Sequence, residues 1–485
     1  MTTTPAHDLP TLEISDNLGR AALGALGRDQ LAAYLSARRW FGAKGQVIEA
    51  AGFDEVAPLA AGDDAIALAR IAVRFASGQT EHYQIPLAID RSGSVSSLVL
   101  ANLHGGGVLY DAVESPEFRR QLGRAFAHKA TAVAQTVRWE FEPLTDLADM
   151  ADAETRIVGG EQSNTSIVFG TRAIMKLFRH VETGENPDVE IGRFLTTRTS
   201  FRGTPALLGV LHMRGPDGDG VAGMVQEFLP GSSDGWAHVL AHLGKHGADE
   251  SLITQLQALG RLTRELHEAL ASVSDDPDFS PEPTEQAHLD RWRTDIDTQV
   301  STTLTLLGTQ TNKLPPQIAT AATALIARGD ELRALLKSST GASAAGPRIR
   351  HHGDYHLGQV LHTADGGWRI IDFEGEPARP ISERRAKHHP LRDVAGMLRS
   401  FAYAAAVAAQ TDSSRDPAES ERSMRKAFLT GYDPALETDA QRAGLLALFE
   451  TEKVFYELRY ELGSRPDWTW IPLAGIENLL SARPA

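Results

Sequence analysis

Residues 348–376 hold the densest group of side chains able to do chemistry. Arg348-Ile349-Arg350 leads into His351-His352-Gly353-Asp354-Tyr355-His356-Leu357-Gly358-Gln359, and a second apolar run, Trp368-Arg369-Ile370-Ile371, delivers Asp372-Phe373-Glu374-Gly375-Glu376. A carboxylate on a loop can accept the proton of an attacking hydroxyl, which makes Asp354 the candidate general base. Five residues on, Gln359 can turn its amide oxygen to a divalent cation, and Asp372 offers an anionic oxygen to the same site. Mg²⁺ takes hard oxygen ligands and bridges nucleotide phosphates, so one amide and one carboxylate suffice beside phosphate oxygens. Taken singly, an aspartate at a strand end is an ordinary turn or cap residue. The joint order, His-x-Asp-(x)4-amide and then apolar-apolar-Asp-Phe, is the layout of a phosphoryl-transfer loop. Downstream, Asp393 opens an apolar helix; it reads either as an ordinary helix N-terminal charge or, with His352, as support for the loop's backbone.

Such a loop makes demands upstream, and the chain meets them in order. A phosphate-covering turn is offered by Gly159-Gly160-Glu161-Gln162-Ser163-Asn164-Thr165-Ser166. It lacks the full glycine signature, yet Ser163, Asn164, Thr165 and Ser166 can present N–H and hydroxyl donors to phosphate oxygens. Lys176 follows inside the apolar run Ala173-Ile174-Met175-Lys176-Leu177-Phe178, where an unpaired ammonium is costly. ATP phosphates and Glu190, fourteen residues on at the start of a helical run, are its natural partners. Met224-Val225-Gln226-Glu227-Phe228-Leu229-Pro230-Gly231 then breaks an apolar strand at Pro-Gly. There, main-chain groups near Glu227 and Leu229 can read adenine.

These segments need a scaffold, and the patterning divides it into three. Residues 1–100 read as a small mixed cap: a helical pattern from Asp29 to Ala37, a basic and aromatic turn at Arg38-Arg39-Trp40-Phe41, then alternating strands near 65–73 and 82–87. The turn reads as packing of Trp40 and Phe41 onto the sheet. Residues 101–230 carry strand-like text, with a helix near Pro116. Residues 231–485 are mostly helical, with Leu252, Ile253, Leu256, Leu259, Leu262, Leu266 and Leu270 forming one stripe. A second helical run covers 318–336, and the Ser/Gly/Ala-rich 338–347 reads as a connector.

At 485 residues the chain is long enough for about three packing units. The 48 basic and 63 acidic residues give a net charge of −15, which argues against nucleic-acid or membrane-surface partners. No cysteine is present, so thiolate chemistry and cysteine-ligated metals are excluded. The polar residues 1–12 carry no apolar core of a secretory signal, and the apolar stretch 394–409 is too short for a membrane span. A cytoplasmic chain, monomeric on its own, is the expectation.

Four stretches resemble the actinobacterial maltokinases: Arg39-Trp40-Phe41-Gly42-Ala43-Lys44-Gly45, Glu161-Gln162-Ser163-Asn164-Thr165-Ser166, the His352–Gln359 loop and Asp372-Phe373-Glu374-Gly375-Glu376-Pro377. The C-terminal Tyr456-Glu457-Leu458-Arg459-Tyr460-Glu461, Arg465-Pro466-Asp467-Trp468 and Ile471-Pro472-Leu473 extend the likeness, which runs from about residue 30 to 475. The resemblance implies an α+β, bilobal protein-kinase-like fold with a β-rich N-lobe, a mostly helical C-lobe and an extra N-terminal cap domain. It implies ATP and Mg²⁺ as cofactors and phosphorylation of maltose at its anomeric hydroxyl, giving maltose 1-phosphate for α-glucan synthesis. It also brings a complex with trehalose synthase into view. Carried onto this chain, Asp354 is the base, Gln359 and Asp372 hold Mg²⁺, and Lys176 with Glu190 handles the phosphates.

For the sugar, Lys453, Glu457, Tyr460 and Glu461 fall near one another on a helix, with Tyr456 and His356 in reach. Two other readings stand. One is a kinase of another sugar or amino sugar such as glucosamine, which shares every phosphate-handling residue. The other is a nucleotide-binding regulatory pseudokinase, against which all base and metal residues are present. An activation segment ending in Ala-Pro-Glu is lacking, which weakens a protein-kinase reading.

Overall fold

The computed structural model describes residues 9–14, 18–60, 65–159, 163–337, 346–377, 379–412, 416–436 and 438–481. Glu161, Gln162 and most of the expected connector 338–347 lie outside the described residues. The chain divides into two units: one runs to Arg193 and adds Pro205–Pro230, and the other takes Phe194–Thr204 and everything from Gly231.

Period-two alternation builds the first unit from two sheets. Ile48–Ala60, Ile66–Phe75 and Thr80–Asp90 form an antiparallel meander, and Val108–Asp111 pairs with the far edge of Thr80–Asp90. Val99–Leu103 pairs with Val108–Asp111 in turn. A cap ending at residue 100 would remove a strand from the middle of this sheet, so its boundary moves to Asp111 or beyond. Trp40 and Phe41 are core residues, 4% and 1% exposed, with the Phe41 ring 5.1 Å from that of Tyr83. The second sheet has the order Thr131–Val133, Arg138–Pro143, Leu207–Arg214, Gly220–Glu227, Ala173–Phe178, Asn164–Phe169, Thr155–Val158.

One apolar cluster draws on both sheets and on the helix Pro116–Ala127, with Leu68, Phe118, Phe126, Trp139, Met175 and Val225 among its members. Ser115 caps that helix by accepting from the Phe118 N–H, and Pro116 fills its first turn, where a missing N–H costs nothing. The buried Gln84 knits the sheets: its amide donates to the carbonyls of Phe178 and Ala222 and accepts from the Trp139 indole at 2.7 Å.

The second unit is helical. The leucine stripe forms Glu250–Leu270, capped by Asp249, with Leu252, Leu256, Leu259, Leu266 and Leu270 buried. The run expected at 318–336 is two helices, Pro316–Ala327 and Gly329–Lys337. Arg328 closes the first and turns its guanidinium to Glu331 and Glu477, and Gly329 restarts the chain. Leu391–Thr411 is apolar nearly all round and accordingly buried along most of its length. No helix among the described residues is long and apolar enough to cross a membrane. A three-stranded sheet, Ser233–Asp234, Val360–His362 and Trp368–Ile370, flanks the loop that carries Asp354.

Candidate active site

In the first unit, Lys176 sits opposite Ser166 on one neighbouring strand and Met224 on the other. Its Nζ pairs with Asp188 Oδ2 at 2.8 Å, and the Asp188 side chain is fully buried. Asn186 fixes this carboxylate by accepting from the N–H groups of Asp188 and Val189 at the start of the helix Pro187–Arg198. Asp188 is thus a partner of Lys176 that the sequence, which pointed to Glu190, did not name. Two residues along a helix is a rotation of about 200°, so Asp188 and the half-buried Glu190 face different ways.

The strand Asn164–Phe169, which follows the expected phosphate turn, is anchored to the cap. Thr165 Oγ1 accepts from Arg179 Nε at 2.9 Å, and the Arg179 guanidinium forks onto Asp111 at 3.0 and 3.4 Å. Asp111 also accepts from the Tyr34 hydroxyl at 2.9 Å, and Arg179 lies 5.2 Å over the Trp40 ring. Arg179 and Asp111 are 2% and 1% exposed, and each buried charge has its partner. At the end of the Gly220–Glu227 strand, Glu227 N–H is spent on Ala206 and Phe228 N–H on Arg172. Among the described residues no acceptor receives the Leu229 N–H, so it is free to meet an adenine nitrogen.

In the second unit, Asp393 anchors the loop. Its carboxylate accepts from His352 N–H at 2.8 Å, Gly353 N–H at 2.9 Å and His267 Nε2 at 3.1 Å. Burial pushes this carboxyl up, but His351, His267 and His352 outweigh it and hold Asp393 well below the usual carboxylate range. The loop-support role thus prevails over an ordinary helix-end charge. His352 Nδ1 accepts from Asp354 N–H, so its Nε2 carries the proton donated to the Ile371 carbonyl at 2.9 Å. Gly353 is at φ +85, and a Cβ there would stand 3.3 Å from Gly375 Cα, so the loop needs glycine at this point.

Ile371 N–H donates to the Gln359 carbonyl at 3.0 Å, which ties Gln359 to the residue preceding Asp372. Asp372 has φ +72, a left-handed conformation that costs a non-glycine residue about 1–3 kcal/mol and persists only where its surroundings impose it. An amide oxygen and a carboxylate on such a held turn are the hard donors that Mg²⁺ takes.

Asp354 Oδ1 is 3.2 Å from Lys453 Nζ, and the same ammonium is 3.4 Å from Glu376 Oε1. The other oxygen, Oδ2, is 3.9 Å from His356 Nε2. Burial pushes Glu376 up, yet Lys453, Arg392 and Arg379 together bring its carboxyl down to about 2. For Lys453, burial opposes the charge, but Asp354, Glu376 and Glu457 outweigh it and keep the amine protonated. Beside this cluster lies a cavity of about 180 Å³, whose lining includes Glu376, Arg379, Lys453, Tyr456 and Arg459.

The expected sugar face is only partly available. Lys453 is half-buried between two carboxylates instead of lying open on the helix Ala440–Ser464. Glu457 is bonded to Arg399 at 2.9 Å, and Glu461 accepts from Tyr403 at 3.0 Å and pairs with Arg465 at 2.6 Å. Buried carboxylates must find partners, and Arg399 and Tyr403, four apart on Leu391–Thr411, match Glu457 and Glu461, four apart on theirs. These two glutamates are helix-packing ion pairs. Tyr456, under Lys453 at 5.1 Å, and Tyr460, 51% exposed, remain as aromatic surfaces.

Residues 154–425 match the phosphotransferase enzyme family, more than half of the chain. The chain belongs to that family. Residues 34–114 match the maltokinase N-terminal cap domain, which also moves the cap's end past residue 100. This phosphotransferase is 30% identical over 333 residues to a glucosamine kinase of Mycolicibacterium smegmatis, covering 66% of the chain and 78% of that relative. It is 26% identical over 337 residues to a glucosamine kinase of Streptacidiphilus jiangxiensis, covering 67% and 73%. A solved glucosamine kinase in complex with glucosamine, ADP and inorganic phosphate superposes with a TM-score of 0.64 at 21% identity, over 92% of this chain and 98% of that one. The fold is therefore α+β and kinase-like, with an N-terminal cap, and the chain is a phosphotransferase of that family.

Sequence reasoning missed Asp188, Glu376 and Arg179. Glu376 stood in the quoted Asp-Phe-Glu-Gly-Glu run, and a second carboxylate four residues after a metal aspartate was the available signal.

Proposed function

We propose that this phosphotransferase moves the γ-phosphoryl group of ATP to the anomeric hydroxyl of maltose, giving maltose 1-phosphate and ADP for α-glucan synthesis. The observation that carries this reading is Asp354, held on an anchored loop with one oxygen fixed by Lys453. The acceptor hydroxyl gives its proton to Asp354 as its oxygen forms the bond to the γ-phosphorus, and the bond to the β-bridging oxygen breaks to release ADP. Gln359 and Asp372 would hold Mg²⁺, which neutralises charge on the phosphate oxygens. Lys176, positioned by Asp188, and the N–H and side-chain donors of Ser163, Asn164, Thr165 and Ser166 serve the phosphates, and main-chain groups at Glu227 and Leu229 serve the adenine.

Glucosamine is the second reading, favoured by the names of the two curated relatives. The maltokinase-type cap match and the C-terminal tyrosine–glutamate run support maltose. Coupled ADP release with Mg²⁺ and ATP across maltose, glucose, glucosamine, trehalose and no acceptor decides between them: maltose should give the largest kcat/KM. A clear preference for glucosamine would replace maltose and keep the kinase. A complex with a maltose-producing trehalose synthase belongs to the same reading, and co-sedimentation of the two purified proteins tests it.

A further inference from the structure

The ammonium of Lys453 stands at the candidate base itself, 3.2 Å from Asp354 Oδ1, and it shares its charge with Glu376 at 3.4 Å. Glu376 has a second cation, Arg379, at 2.7 Å. Arg379 also reaches Glu383 at 3.6 Å and Glu452 at 3.7 Å, and Arg392 pairs with Glu452 at 2.6 Å, so each carboxylate of this network has a cation within 4 Å. An incoming cation finds no uncompensated carboxylate here.

The consequence for the acceptor follows from reach. A hydroxyl that gives its proton to Asp354 lies roughly 3 Å from that carboxylate. Substituents on the neighbouring ring carbon then fall within the distance over which like charges repel in a partly buried site. Glucose and glucosamine differ at that neighbouring carbon of the anomeric centre only by a hydroxyl against an ammonium. Uncharged substituents meet Lys453 as hydrogen-bond partners, whereas an ammonium meets it as a like charge.

We propose that Lys453 is the specificity-determining residue for acceptor charge, selecting an uncharged sugar and disfavouring one with an ammonium beside the reacting hydroxyl. This rests on the reading of Asp354 as the base of a sugar kinase. A corollary gives the proposal its sharpest test. When the lysine loses its charge, Asp354 and Glu376 lack their shared cation, and the amine of an amino sugar can supply one. The same substitution that weakens neutral sugars should therefore strengthen glucosamine.

The experiment is calorimetric binding of glucose and of glucosamine to the full chain with Mg-ADP present, at a pH where the amine is protonated. Wild type, Lys453→Met, Lys453→Gln and Lys453→Arg are compared, and thermal melts establish which variants fold. Wild type should bind glucose at least about tenfold more tightly than glucosamine, and Lys453→Met should move that ratio at least about tenfold toward glucosamine. Lys453→Gln should move it the same way, which covers the case of a methionine variant that does not fold. Lys453→Arg, which keeps the charge, should leave the preference with glucose. A smaller shift in both neutral variants, or a wild-type preference for glucosamine, overturns the proposal. Turnover is scored separately: a ratio that moves as stated in a chain that phosphorylates no sugar supports the charge filter and removes the kinase reading.

Discussion

Lys176 and Lys453 are both ammonium groups held against carboxylates, one in a strand of the first unit and the other on a helix of the second. Lys176 meets Asp188, a carboxylate fully buried and capped in place by Asn186. Lys453 stands between Asp354, the proposed base, and Glu376. A lysine paired with one buried carboxylate can position a charge for a ligand. A lysine shared between the proposed base and a neighbour orients that base and, under the proposal above, sets the charge that a substrate meets. The same residue type therefore does different work because its partners differ, and each pair can be broken separately.

The largest effect belongs to the base. Asp354→Asn should lower kcat by about 10³-fold, within the range of lost general-base catalysis, and leave ADP affinity within about twofold. Coupled ADP release and calorimetry check this, and activity within tenfold of wild type would take Asp354 out of the mechanism.

Next comes the anchor of Lys176. Asp188→Asn breaks a buried pair, so it should cost about 3–5 kcal/mol in denaturant unfolding and raise the KM for ATP. A loss below about 1 kcal/mol would remove Asp188 as the anchor.

The helix-packing assignment of Glu457 is tested in the same way. Glu457→Gln removes the carboxylate bonded to the buried Arg399, leaving it Glu421 alone, and should lose about 1–3 kcal/mol of stability with an unchanged sugar KM. A raised sugar KM at wild-type stability would return Glu457 to the acceptor face.

The smallest effect is read in pH. Burial, opposed chiefly by Asp393, brings His351 down to about 4 from an ordinary 6.5. Between those values the unfolded chain binds the proton and the folded chain does not. His351 therefore contributes stability that is fully present above about pH 6.5 and is lost as pH falls toward 4, no more than about 3 kcal/mol in all. Urea unfolding of wild type and His351→Gln at pH 7 and pH 4.5 checks the sign: the two should converge as pH falls. A constant gap would place the effect elsewhere.

What was legible in the sequence follows the same division. Lys176 stood out because a lysine inside an apolar strand is anomalous, and the Asp354, Gln359 and Asp372 spacing is set by local loop chemistry. The leucine stripe of Glu250–Leu270 and the strands near 65–90 followed from periodicity alone. The partners of Glu457 and Glu461 were not legible because helical spacing says which side chains share a face, and only packing says what that face meets. Asp188 and Glu190 could not be separated without the helix's rotation, which the Asn186 cap fixes. Arg179 was invisible because Asp111 and Trp40, which it meets, lie far from it in the chain.

The most direct test of the central claim is phosphorus NMR of the products formed from Mg-ATP and maltose by wild type and by Asp354→Asn. The account predicts an anomeric sugar phosphate that accumulates with ADP in wild type and is absent in the variant. An unchanged yield in the variant, or no sugar phosphate from maltose, glucose or glucosamine with wild type, would contradict it.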